Sequence, residues 1–128
     1  MQQRLGGGQL LAAISKAIVA LLREHYGRGP TKAKTYAFDD VVVVIMRGSG
    51  LTPLEQTLMD AAGADRVIAL RREFQQVMAA RYRATIEQLT GRVVLASLSQ
   101  VHVEPDITIE TFIVDGPLEG FGADAAAP

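Results

Sequence analysis

Three groups of residues have the types and spacing to do chemistry. His102, Glu104 and Asp106 alternate along the chain. On an unbroken strand alternate residues share a face, so this trio could offer one imidazole and two carboxylates to a metal ion or to acid–base chemistry. Pro105 sits between the last two, and an ordinary strand end followed by a turn is the competing expectation. Asp39 and Asp40 form a carboxylate pair. Adjacent strand residues point to opposite faces, however, and aspartate favours turns without any catalytic duty, so a turn is expected there. Arg28, Lys32 and Lys34 follow one another closely, with Tyr36 beyond and Gly27 and Gly29 beside them. Alternation would put Lys32, Lys34 and Tyr36 on one strand face near glycine amides, a setting for phosphate, carboxylate, bicarbonate or nucleic acid. A solvated strand face is the plainer alternative. The remaining histidine, His25, falls at the end of an apolar-periodic segment, where a helix C-terminus offers it free carbonyls. No GxSxG, HExxH, Walker or dinucleotide motif occurs, so no catalytic residue is assigned and no cofactor is expected.

The elements that must position these residues are legible from periodicity. Leu10, Leu11, Ile14, Ile18, Leu21 and Leu22 recur at threes and fours, which predicts a helix over Gln9 to Tyr26, stopped by Gly27-Arg28-Gly29-Pro30. Thr35–Phe38 and Val41–Met46 are β-rich runs around the Asp39-Asp40 turn, a hairpin. The second run does not alternate with polar residues, so both its faces should be covered, one by helices and the other by a second subunit. Thr52, Pro53 and Glu55 form a capping-box helix start. After an interruption at 61–65, Val67, Leu70, Phe74, Val77, Met78, Tyr82, Ile86 and Leu89 stripe a long helix with Arg71, Arg72, Gln75, Gln76 and Arg83 on its polar side. Val93–Val103 and Ile107–Val114 make a second hairpin, with Thr108, Glu110, Phe112 and Val114 on one face of its last strand.

The predicted fold class is therefore α+β: a two-layer sandwich in α-ββ-α-ββ order, with a four-stranded, mainly antiparallel sheet and helices on one face. One domain is expected over 9–115, flanked by loose segments at 1–8 and 116–128. All 13 Lys and Arg lie between Arg4 and Arg92 beside eight acids, whereas the remaining residues carry six acids and no Lys or Arg. That split suits neutralisation between neighbouring elements or contact between subunits. The chain has no Cys, so thiolate metal sites and disulfides are excluded, and a reducing cytoplasmic setting is expected. Aromatic residues make up 5% and Trp is absent, which argues against a base-stacking platform; nucleic acid is not an expected partner. Leu10–Leu22 is too short and too interrupted to span a bilayer or act as a signal peptide, so direct membrane insertion is not expected.

Several segments together resemble the MpsC domain family, a bacterial domain named for a sodium-translocating, membrane-potential-generating system. They are Tyr26-Gly27-Arg28-Gly29-Pro30-Thr31, Lys34-Thr35-Tyr36 with Asp39-Asp40, Leu51-Thr52-Pro53-Leu54-Glu55, and Leu89-Thr90-Gly91-Arg92-Val93. The resemblance spans most of Gln9 to Leu118, and Ser97 to His102 is similar to the family's serine-rich third strand with its following histidine. It implies a link to sodium or bicarbonate transport and brings no catalytic residue set. The expected protein is a non-catalytic, homodimeric accessory or regulatory subunit, with a membrane transport protein as partner. A small-anion or nucleotide sensor built on Arg28, Lys32, Lys34 and Tyr36 is the second expectation, and a metal-dependent enzyme using the His102 region the third.

Overall fold

The computed structural model describes residues 5–48 and 50–121. Helix α1 (Gly7–Tyr26) leads into the hairpin β1 (Lys32–Phe38) and β2 (Val41–Arg47). Helices α2 (Pro53–Ala62) and α3 (Ala64–Thr90) follow, and β3 (Val94–His102) and β4 (Ile107–Val114) close the chain. The four strands form one sheet in the order β1-β2-β4-β3, every neighbouring pair antiparallel. The α+β sandwich is as predicted. Each hairpin pairs locally, and the halves join through the central β2–β4 ladder.

Pleating divides the sheet into two unlike faces. On the inner face Val42, Val44 and Met46 of β2 lie beside Phe112, Glu110 and Thr108 of β4. Leu10, Ile14 and Ile18 of α1, and Met78, Tyr82 and Ile86 of α3, close over them as a core from which water is excluded. Burial of each large side chain there stabilises the fold by roughly 1.5–3 kcal/mol. The outer face carries the alternate residues: Val41, Val43 and Ile45 opposite Ile113, Thr111 and Ile109. No element of the described chain lies over them, because α1, α2 and α3 pack on the inner side and on one another. Tyr36, Phe38 and Leu98, which flank this row on the edge strands, are 42%, 55% and 53% exposed.

Two details depart from the sequence reading. Arg71 and Gln75, expected on the polar side of α3, turn inward; Gln75 is buried, while Val77 of the apolar stripe is 69% exposed. The reason is that β4 presents Glu110 to this helix, so the inward face needs polar partners at that level. Of the loose segments expected at 1–8 and 116–128, residues 1–4 and 122–128 lie outside the described residues. Within the described part α1 begins at Gly7, and Leu118 is buried in the core.

Candidate functional site

A cleft of about 70 Å³ opens where the end of α1, the start of α2 and the middle of α3 meet one end of the sheet. Local sequence builds its rim. Gly27 takes φ 82° to end α1, a conformation that favours glycine, and the chain turns so that the Arg28 guanidinium reaches the Leu51 carbonyl at 2.6 Å. Thr52 then caps α2: its hydroxyl accepts from the Glu55 N–H at 3.1 Å, and the Glu55 carboxylate accepts from the Thr52 N–H at 2.9 Å. The predicted capping box is thus present, and it aims Glu55 at the cleft.

Glu55 is fully buried and serves more than the cap. Arg71 donates to both of its oxygens, from Nε at 2.5 Å and from Nη2 at 2.9 Å, and the Tyr26 hydroxyl donates at 2.5 Å. The remaining Arg71 nitrogen, Nη1, donates to Asp106 at 2.6 Å. Asp106 approaches because Gly48 lies beneath it: a Cβ at Gly48 would sit 2.1 Å from the Asp106 Oδ2. Burial pushes the Glu55 carboxyl up, but the bonds from Arg71, Tyr26 and Thr52 outweigh it and hold the group at about 2. The Glu55 bonds raise the Arg71 guanidinium, against its burial. Tyr26 is raised by burial and by its bond to Glu55. This network is an ionised clamp joining α1, α2, α3 and the β3–β4 turn. With its three guanidinium nitrogens all on carboxylates, Arg71 is committed to the fold.

Deeper in the same cleft sits a second polar group. Glu110 is 2% exposed; it accepts from Gln75 Nε2 at 3.0 Å and from the Ser99 hydroxyl. Burial lifts its carboxyl to about 7, because these two hydrogen bonds favour the ionised form without matching the lost hydration. Tyr82, also 2% exposed, is raised by burial and by the nearby Glu110. Leu22, Met46 and Phe74 supply apolar wall, and Phe74 meets the Tyr26 ring edge-on at 4.7 Å.

The residues singled out from sequence fall in different places. Arg28 lines the cleft, whereas Lys32, Lys34 and Tyr36 stand on the outer face of edge strand β1, with the Lys34 ammonium 5.1 Å from the centre of the Tyr36 ring. The structure does not gather the four. His102 bonds the Pro105 carbonyl through Nδ1 at 2.8 Å, Glu104 is exposed, and Asp106 points to Arg71. Among the described residues no group of three or more His, Asp or Glu is arranged to hold a metal ion. Asp39 and Asp40 form the two-residue loop of the first hairpin, Asp39 at φ 54°. His25 occupies the last turn of α1, 3.8 Å from Glu24.

Residues 7–116 match the family described as "Na+-translocating membrane potential-generating system (MpsC)". The chain belongs to the MpsC family. No curated protein and no solved structure matches it at a significant level. The matched MpsC stretch contains the whole cleft and all four strands. Among its described residues no helix is long and apolar enough to cross a membrane. Sequence reading of this MpsC chain did not find the clamp. Glu55 could be read as a cap and Glu110 as facing the same way as Phe112 and Val114, but Arg71 lies 16 residues from Glu55 and 35 from Asp106. The one signal available was local: an acid on the buried face of a strand needs a polar partner from the layer above it.

Proposed function

We propose that the protein is a non-catalytic accessory subunit of the Na+-translocating system for which its family is named, acting in the cytoplasm as a homodimer. The observation that supports this reading is the uncovered apolar row Val41, Val43, Ile45, Ile109 and Ile113 on the outer sheet face, flanked by Tyr36, Phe38 and Leu98. Contiguous apolar surface of this kind marks an interaction site, and a second sheet can cover it at about 10 Å separation. Charge favours a second copy as the occupant. Lys32 and Arg47 stand at one end of the strands, and Asp39, Asp40 and Asp115 at the other. A two-fold axis in the sheet plane and across the strands lays the basic end of one protomer over the acidic end of its partner. An axis along the strands would oppose like charges.

Sedimentation tests the assembly. A dimer is expected at micromolar concentration, converted to folded monomer by Val43→Lys; a wild-type chain that stays strictly monomeric removes the self-association. The accessory role is tested with vesicles carrying the membrane-embedded subunits of the system. Co-flotation with those vesicles and not with empty ones is expected, and equal behaviour towards both discards the role.

A further inference from the structure

Strand β1 is an open edge of the sheet. It is hydrogen-bonded to β2 alone, so alternate backbone N–H and C=O groups along its other side are unpaired. A groove of about 720 Å³ runs beside it, between α1 and the strand. Leu11 and Val19 of α1, with Ala33 of β1, give the groove an aliphatic floor, and the Ser15 and Thr35 hydroxyls, 2.7 Å apart, tie its two walls together. The rim is cationic. Lys16 and Arg23 stand on the helix side and Lys34 on the opposite face of the strand, and no Asp or Glu is among the described residues that line the groove. All three cations are exposed, and none makes an ion pair with a described residue.

These features select one kind of occupant. Unpaired backbone groups along an edge are completed by another extended chain, and cations on its flanks call for carboxylates. Lys16 and Arg23 lie two helical turns apart, ~10 Å along α1, too far for one small anion to engage both. Same-face carboxylates of an extended chain recur every ~7 Å, a spacing that the long basic arms can meet. A second copy is a poor occupant, because pairing β1 with β1 would bring like charges together. Nucleic acid is a poor one as well, since no aromatic residue among the described lining offers a base a stacking surface. We propose that β1 accepts an extended acidic segment of a partner protein as a fifth strand of the sheet. Carboxylates on its helix-facing residues pair with Lys16 and Arg23, and Lys34 adds attraction from the opposite face. The groove lies at the sheet edge on the helix side, so the proposal stands or falls separately from the face-to-face dimer.

Fluorescence polarisation tests it with a labelled peptide as long as β1, 7 residues of alternating Glu and Val with blocked termini. Saturable binding is expected, with amide shifts of the labelled protein centred on 16–23 and 32–38 in two-dimensional NMR. The same peptide with Pro in place of each Val keeps the charge but cannot extend the ladder, and it should bind about tenfold more weakly. Lys16→Glu combined with Arg23→Glu should lose about tenfold in affinity for the Glu peptide, since both rim charges are reversed. That double variant should instead take the Lys-for-Glu counterpart, which the wild type does not, an exchange that requires a folded groove. Equal affinity for the Val and Pro peptides leaves only a polyanion surface and overturns the strand addition. Unchanged binding by the double variant, or no saturable binding by the wild type, overturns the site. A single-stranded oligonucleotide or phosphatidylserine vesicles bound more tightly than the Glu peptide overturn the choice of partner.

Discussion

Four donor contacts converge on the Glu55 carboxylate, from Thr52, Tyr26 and twice from Arg71. Its pKa is depressed on folding, so the stabilisation it provides is fully present above the unfolded value of about 4.5 and disappears as pH falls towards about 2. A shift of this size corresponds to ~3 kcal/mol. Denaturant titrations between pH 5 and pH 2 should show that loss in the wild type and a much flatter profile in Glu55→Gln. At pH 7 the same variant should be destabilised by about 3–5 kcal/mol, because Arg71 is left with an unmatched buried charge. Glu110, raised to about 7, acts in a different window: its unfolded form ionises first, so its contribution falls between about 4.5 and 7 and does not overlap the acid limb. Gly48→Ala provides a second check on the clamp. The new methyl would strike Asp106, so a loss of about 1–3 kcal/mol is expected by urea unfolding. Combined with Asp106→Asn it should add little, since both changes break one ion pair.

At the scale of elements, α2 depends on its first turn. Glu55 is its sole buried residue, so α2 has little apolar anchorage of its own, and Thr52→Ala should destabilise the protein by about 1 kcal/mol. Hydrogen exchange should speed up over 53–62 in that variant while α3 stays protected. Such local features were readable in the sequence. Thr52-Pro53-x-Glu55 announced α2, Gly27 marked the end of α1, and the Ile107–Val114 alternation placed Glu110 with Phe112 and Val114. The cleft was not readable, because its partners come from five elements and meet only once the strand order is set. Helical periodicity also misassigned Arg71 and Gln75, since a polar residue facing a buried acid is indistinguishable in pattern from one facing water. For the same reason Arg28 and Lys34, neighbours in the chain, could be read as one anion site although they line a cleft and an outer face respectively.

For the whole molecule, the unlike sheet faces decide how it associates. If Lys32 and Arg47 of one copy meet Asp39, Asp40 and Asp115 of another, Arg47→Glu should weaken the dimer, and Asp40→Arg in the same chain should restore part of the loss. Sedimentation at low and high salt checks this, because exposed rim pairs are screened and contribute ~1 kcal/mol or less each. Ile45→Lys should act more strongly and with little salt dependence, since it removes apolar contact on the central strand β2 of the face.

The strand order has one more consequence. Gly63 separates a first segment that contains α1, the leading hairpin and α2 from a second that contains α3 and the trailing hairpin. Each piece keeps its own short-range pairing, and the central ladder is what they share. Cleaved at that glycine, the two fragments should therefore find each other and rebuild the native spectrum on mixing, while either alone stays without fixed tertiary signals.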